Sequence, residues 1–418
     1  MKEVAEKHWA GADWGDTSHA LCVVDSAGGI VCRIEVPHTA EGLQELVSKL
    51  KGFNPVGGIA IETKRSVLVQ KFLEAGIVVY PINPKVSKAW RDGWTAASPK
   101  TDPGDALVLA DGLRHYHERL HPLCQDDALT RELAMLCADE SRLIEERTAL
   151  VNRLKATLKE YHPAALGWFS DWTTPTSWDF VLTFSKPQDL ADASAKRLTG
   201  FLKTHGIGIS PLWKERIESR KKVSEWPSDT ATIEAKSFLA VTTAKQLRTL
   251  QASLKEYRKR IEQLFEDHPD SDIFSSLPGA GPKLAPRLLS GFGSQRDRFD
   301  SAKALQQLSG VTPVTEKSGK HEFIKFRRAC QKDFRKTMHQ FASKSTEQCA
   351  WANAFYDAAR AKGQSHNLAL RNLASKWIKI IFRMWLDKKT YDDHIYLASL
   401  IRTNNPLVCN IPTLKGCE

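Results

Sequence analysis

No apolar run in this 418-residue chain approaches the roughly 20 residues that a membrane-spanning helix needs. The opening residues, Met1-Lys2-Glu3-Val4-Ala5-Glu6-Lys7, lack the apolar core of a signal peptide. No membrane partner is expected on this reading, and the expected place of work is cytoplasmic. The eight cysteines, at 22, 32, 124, 137, 330, 349, 409 and 417, include no CxxC pair and no Cys/His cluster at zinc spacing. Neither a disulfide framework nor a zinc site is expected. A GxxxxGK[ST] phosphate loop is also missing, so no nucleotide cofactor is expected. Acid is the minority charge: 49 Asp+Glu stand against 60 Lys+Arg, a net +11, which points to a polyanionic partner. The length suits two or three domains, and a hydrophobic content of 42% is enough to give each a core.

The first 124 residues read as α/β. Residues 10–14, 20–25 and 30–36 are short β-prone runs separated by Gly, Asp and Ser turns, an antiparallel meander. A helical period follows at Leu43, Leu46, Val47 and Leu50, then a buried strand at 58–62, a helix near 65–75 and a strand at 77–82. Three hairpin strands followed by alternating helices and strands predict an RNase H-like sheet. Residues 125–270 carry heptad leucines, Leu129, Leu136, Leu143 and Leu150, and a second periodic segment, Leu247, Leu250, Leu254, Tyr257, Ile261 and Leu264. The two predict a coiled coil, within one chain or between chains. Between them, Trp168, Trp172, Trp178, Trp213 and Trp226 predict a small tip subdomain. Residues 271–418 form a third, mainly helical domain, with a Gly-containing loop near 310–322.

Four carboxylates of the first domain stand where metal chemistry would use them. Asp13 ends the first expected strand, Glu62 ends the buried one, and Asp102 and Asp105 open a helix in Lys100-Thr101-Asp102-Pro103-Gly104-Asp105. Carboxylates from strand ends and one helix turn can hold Mg²⁺, a hard cation that binds oxygen and polarises a phosphodiester. Each also has an ordinary reading. Asp102 before Pro103 suits an N-cap, Asp105 suits the first-turn dipole, Asp13 can stabilise a turn and Glu62 can pair with Lys64 or Arg65.

The third domain concentrates positive charge. Residues 315–345 hold nine Lys/Arg against three Asp/Glu, and include Lys317, Lys320, Lys325, Arg327, Arg328 and Lys332. A phosphate backbone is the natural partner, although a solvated helix face would read the same way. Within it, Ser318-Gly319 lies in a loop where a phosphate can approach closely, making Ser318 a candidate nucleophile. Ser309-Gly310 is the rival pair and reads as a helix cap. The Leu277-Pro278-Gly279-Ala280-Gly281-Pro282 turn resembles a helix-hairpin-helix loop, which would set Lys283 and Arg287 beside a DNA phosphate.

As an ordered set, Ala12-Asp13, Ile61-Glu62-Thr63, Lys100 to Ala106, the 277–282 turn, Gly310-Val311-Thr312-Pro313 and Ser318-Gly319 resemble the DEDD transposases of insertion sequences. That family includes the bridge-RNA-guided serine recombinases and is related to the pilin-gene DNA invertases. The resemblance spans about residues 10–390. It implies an N-terminal RNase H-like domain of the Holliday-junction-resolvase type, a coiled-coil linker for self-association and a C-terminal transposase domain. Asp13, Glu62, Asp102 and Asp105 would then be the Mg²⁺ tetrad and Ser318 the nucleophile. The implied reaction is strand exchange through a 5′-phosphoserine link at a site shared between protomers of a dimer or tetramer. The implied partners are donor and target double-stranded DNA and a structured non-coding guide (bridge) RNA, placing a bacterial protein at the nucleoid when it acts. The sequence departs from the family after Ser318, where Ala329-Cys330-Gln331-Lys332 replaces a glycine-asparagine turn. Two other readings stay open: a metal-dependent nuclease without a covalent intermediate, and an RNA-binding assembly protein whose carboxylates are structural.

Overall fold

The computed structural model describes residues 7–53, 56–64, 66–94, 101–220, 229–319, 321–408 and 411. The chain divides into two compact units, Met1–Gln125 and Asp126–Glu418.

In the first unit, β1 (His8–Trp14), β2 (Ser18–Val24) and β3 (Ile30–Pro37) form the antiparallel meander. Helix α1 (Ala40–Lys51) leads to β4 (Val56–Ile61), and α2 (Val67–Glu74) to β5 (Val79–Pro81). The sheet order is β3-β2-β1-β4-β5, with β4 parallel to β1 and β5 parallel to β4. Period-two alternation gives the sheet two apolar faces. Ala10, Ala12, Leu21, Val23, Ile59 and Ile61 pack with Leu43, Leu46 and Leu50 of α1 and Phe72 of α2. The other face carries Trp9, Ala20, Cys22, Val24 and Ala60. After α3 (Pro84–Trp94), α4 (Asp102–Tyr116) covers that second face with Ala106, Leu109, Ala110 and Leu113.

Close approach of α4 depends on Gly11. A Cβ there would lie 2.2 Å from the Ala106 carbonyl oxygen and 2.4 Å from the Ala110 nitrogen. Those are backbone atoms and cannot rotate away. Gly11→Ala is expected to lift α4 off the sheet and cost about 1–3 kcal/mol. Thermal unfolding checks it; an unchanged midpoint would mean the helix sits further from the strand.

The second unit begins with two long helices, α5 (Ala128–Tyr161) and α11 (Thr230–Glu266). Their N-termini are capped by Asp127, which accepts from the Thr130 N–H at 2.8 Å, and by Asp229, which accepts from the Thr232 N–H at 3.0 Å. They pair antiparallel within one chain, as ion pairs Arg260–Glu132 and Arg258–Glu140 and the Arg147–Gln251 hydrogen bond show. The buried line of α11 runs Ala240, Leu247, Leu254, Ile261, a true heptad. On α5 it runs through Leu133, Cys137, Val151, Leu154 and Leu158. The expected stripe Leu129, Leu136, Leu143, Leu150 is only half-buried and flanks this seam.

Five short helices, α6 (Pro163–Leu166), α7 (Pro175–Thr183), α8 (Pro187–Ala191), α9 (Ala195–Thr204) and α10 (Pro211–Ser219), close the far end of the hairpin. Their core is Trp168, Trp172, Trp178, Phe180 and Phe184, packed on Leu154, Leu158 and Leu247. Trp226 lies outside the described residues.

At the base, α12 (Ser271–Ser275), α13 (Gly281–Phe292), α14 (Ala302–Leu308), α15 (Lys332–Gln348), α16 (Ala350–Ala361), α17 (His366–Asp387) and α18 (Asp393–Arg402) follow. They share one core with Leu133, Cys137, Ile261 and Leu264, so the base of the hairpin and the C-terminal helices form a continuous body. The expected loop at 310–322 is instead a two-stranded hairpin, β6 (Val314–Ser318) and β7 (His321–Lys325). The basic stretch 323–328 is therefore strand and coil, not a helix face. Alternating Val314-Thr315 and Phe323-Ile324 are β-formers, and Gly319 supplies φ +57° at the turn.

Among the described residues, no helix is long and apolar enough to cross a membrane.

Candidate active site and nucleic-acid interface

The register that pairs Ala12 with Ile61 brings Asp13 and Glu62 to the same end of two adjacent parallel strands. Gly11 and Ala60 face α4, so two residues on, Asp13 and Glu62 leave the sheet on that helix's side. Asp105 sits one residue before Ala106, in the first turn of α4, and is buried. Asp102 is exposed and is the first residue of α4. It does not cap the helix: Thr101 does, its Oγ1 accepting from the Gly104 N–H at 3.3 Å. Asp102 is thus free of the structural duty that its place before Pro103 suggested.

Two of these carboxylates already meet protein donors from α3. Ser87 Oγ donates to Glu62 Oε1, and Arg91 Nη2 pairs with Asp105 Oδ1. Ser87 and Arg91 are one helical turn apart, so a single face of α3 serves both. That helix is pinned by Trp90, whose ring lies where a Cβ on Gly112 would be, and which stacks on Tyr116 with centroids 5.5 Å apart. Sequence reading missed Ser87 and Arg91. Their i, i+4 spacing was visible, but nothing local announces partners 25 and 14 residues away. Glu62 makes no ion pair with Lys64 among the described residues, and Arg65 lies outside them.

An all-carboxylate oxygen set suits a hard divalent cation. The arrangement is not closed around one: among the described residues no group of three or more His, Cys, Asp or Glu is placed to hold a metal ion.

Ser318 ends β6 beside the turn and is exposed, paired across the ladder with His321. Among the described residues no side chain hydrogen-bonds its Oγ, so any activation comes from groups brought to it. Ser309 is fully buried, and its Oγ donates to the Gln306 carbonyl at 3.1 Å as a C-terminal helix cap.

The expected phosphate-binding cations separate into groups. Lys317 pairs across the hairpin with Glu322 at 3.2 Å, and Lys325 with Glu316 at 2.5 Å. Exposed pairs of this kind are worth less than about 1 kcal/mol and yield easily to a phosphate. Lys283, Arg328 and Lys332 are exposed, and Arg327 is half-buried with its Nε donating to the Thr312 carbonyl at 3.3 Å. Lys320 lies outside the described residues. Arg287 is a correction. Its guanidinium is bound to Glu140 at 2.6 Å with only 13% of the side chain exposed, so it faces the α5–α11 base rather than a phosphate. Burial alone would raise the Glu140 carboxyl, but hydrogen bonds from Arg287 and Arg258 hold it below its usual value. The 277–282 turn likewise packs inward, where a Cβ on Gly279 would lie 2.8 Å from the Lys344 backbone.

Comparison with known proteins gives matches in both the N-terminal and the C-terminal parts of the chain. Residues 10–163 match a family model described as a transposase, the DEDD type of IS110, and residues 271–357 match one described as "Transposase IS116/IS110/IS902 family". A mini-circle putative transposase for IS117 from Streptomyces coelicolor is 27% identical, the match covering 94% of this chain and 97% of the relative. The insertion element IS900 uncharacterized 42 kDa protein of Mycobacterium paratuberculosis is 24% identical over 93% and 98% of the two chains. A putative transposase from Sinorhizobium fredii, y4uE, is 32% identical over 48% of this chain and 57% of its own length. The matched segments hold the carboxylate-bearing sheet toward the start of the chain and the serine hairpin toward its end, and the two models and these relatives together support an insertion-sequence transposase of the IS116/IS110/IS902 type.

Proposed function

We propose that this transposase exchanges DNA strands through a serine-linked intermediate, with an RNase H-like acidic unit and a serine-bearing hairpin unit as its two chemical parts. The observation that carries the reading is that Asp13 and Glu62 stand at the same end of adjacent parallel strands, on the face that α4, with Asp102 and Asp105 in its first turn, covers.

Asp13, Glu62, Asp102 and Asp105 would hold Mg²⁺, which supplies electrophilic polarisation of a phosphodiester when bound. The chain's own residues supply the rest. Ser318 Oγ attacks phosphorus, the Oγ–P bond forms as the P–O3′ bond breaks, the serine proton leaves to a nearby base and the departing 3′ oxygen takes up a proton. Lys317 and Lys325, released from their exposed carboxylate partners, neutralise charge building on the phosphate oxygens. Reversal of the step on a different 3′ hydroxyl religates the strand without a nucleotide cofactor, since the ester conserves the bond. Guidance by a structured bridge RNA and pooling of halves from two protomers complete the reading.

Glu62→Gln and Asp105→Asn tested on DNA carrying the element's ends are expected to cut strand exchange by about 10²-fold or more, in line with the loss of a polarising ligand set. Both should keep the far-UV spectrum of the parent. Strand exchange at parental rates by either variant would remove the acidic end of the sheet from the reaction.

A further inference from the structure

Two arginines and a histidine meet at the base of the serine hairpin, and among the described residues no acid pairs with them. Arg335 and His339 lie one turn apart on α15, and Arg371 comes from α17. The guanidinium carbons of Arg335 and Arg371 sit 4.4 and 4.6 Å from the centroid of the Phe326 ring, which follows β7 directly. Among the described residues, neither arginine makes an ion pair with a carboxylate. Arg335 Nε, Arg371 Nε, His339 Nε2 and Thr312 Oγ1 are all buried without a hydrogen-bond partner there.

That concentration is costly in the free protein. Buried polar groups are nearly always satisfied, and each exception needs a reason. Like charges in a partly desolvated place repel, and cation–π contact with one phenylalanine offsets only a part of that. Burial and the two neighbouring arginines hold His339 below its usual basicity, and burial and Arg335 do the same to Arg371. An oxyanion resolves every term together, since its oxygens accept from several N–H and O–H donors and its charge offsets the two guanidinium groups.

We propose that Arg335, His339, Arg371 and Thr312 form a binding site for a nucleic-acid backbone phosphate that anchors the strand at the root of the Ser318 hairpin. This rests on the reading of the chain as a nucleic-acid-handling transposase and adds a site to it. The anchored phosphate is not the one facing Ser318. The ladder from Val314–Lys325 to Ser318–His321 spans four residue steps, roughly 13 Å at strand rise. A fixed neighbour phosphate at that distance sets the register in which the backbone lies along the hairpin, as phosphate contacts position while other contacts choose.

Arg371 gives the cleaner test, because Arg335 also donates to the Arg327 carbonyl and so supports the backbone that follows β7. The full chain, Arg371→Gln and the control Arg383→Gln are compared; Arg383 is exposed and pairs with Asp387 on the same helix. Binding to a DNA duplex and to single-stranded RNA is titrated against salt, and melting is followed with and without inorganic phosphate at constant ionic strength. The expected result is a log–log salt slope shallower by about one unit for Arg371→Gln and unchanged for Arg383→Gln. The parent should gain melting temperature from inorganic phosphate and Arg371→Gln should not, while melting at or above the parent without it. A slope change on DNA alone or on RNA alone names which strand sits there. Parental slopes on both nucleic acids together with a lowered melting point in Arg371→Gln would overturn the site and leave Arg371 as cover for Phe326. Absence of nucleic-acid binding by the parent would instead remove the transposase reading, and the phosphate-dependent melting would still decide the anion site.

Discussion

Ser318→Ala is expected to form no protein–DNA adduct on a denaturing gel and to lose strand exchange by roughly 10⁴-fold or more, the scale seen when a nucleophile is removed. Binding to DNA should be retained, because Ser318 is exposed at a hairpin end and no packing depends on its hydroxyl. Ser309→Ala is the companion. Its hydroxyl is a buried helix cap, so that variant should lose some stability and keep adduct formation. An adduct formed by Ser318→Ala would sink the nucleophile assignment. Free DNA ends with no adduct in the parent would turn the reading to a metal-dependent nuclease, with Ser318 only a phosphate contact.

The exposed hairpin is compatible with the proposed role of Ser318. Two isolated strands are marginal in water, and Phe323, Ile324 and Phe326 are 53%, 73% and 45% exposed along this one. Such a ribbon stiffens when something lies against it. Mixing Ser318→Ala protein with Glu62→Gln protein is accordingly expected to restore part of the activity, if the acidic and serine halves come from different protomers. No restoration would place both halves in one chain.

Much of this was legible beforehand, and the reasons differ by element. The meander and the crossover strands were readable because Ala10, Ala12, Leu21, Val23, Ile59 and Ile61 alternate or run as apolar blocks between turn residues. The positions of Asp13 and Glu62 at strand ends followed from the same pattern. The capping of α4 did not: Thr101 and Asp102 are both good caps, and only the backbone decides between them. The β6–β7 hairpin was hidden by its charge, since Lys317, Glu322, Lys325 and Arg327 obscure the alternation that marks a half-buried strand, and both faces are exposed. On α5, leucines at every seventh position drew the eye to 129, 136, 143 and 150. The seam instead falls on smaller and mixed residues such as Cys137 and Glu140, because two arginines satisfy that buried carboxylate from other helices. Arg287 was misplaced for the same reason, as a cation's partner is a tertiary fact.

The Arg91–Asp105 pair gives the sharpest test of the acidic end. Asp105 has a side chain only 7% exposed and Arg91 one 18% exposed, so removing the arginine leaves a carboxylate in a poorly solvated place. A hydrogen bond between charged groups of this kind is worth about 1.5–3 kcal/mol. In a unit of this size its loss lowers the melting temperature by roughly 5–10 °C. Arg91→Ala should therefore melt well below the parent in a chelating buffer. If the carboxylates are a cation site, Mg²⁺ should recover most of that loss, because a divalent ion replaces the missing charge among oxygen donors and binds only the folded form. The recovery should vanish in Arg91→Ala combined with Asp105→Asn, whose own melting point rises relative to Arg91→Ala because the buried charge is gone. A melting loss that Mg²⁺ leaves untouched would make the pair a structural clasp between α3 and α4. Full recovery by Mg²⁺ would instead identify Arg91 as a tethered stand-in for the metal, holding Asp105 in place until a cation displaces it.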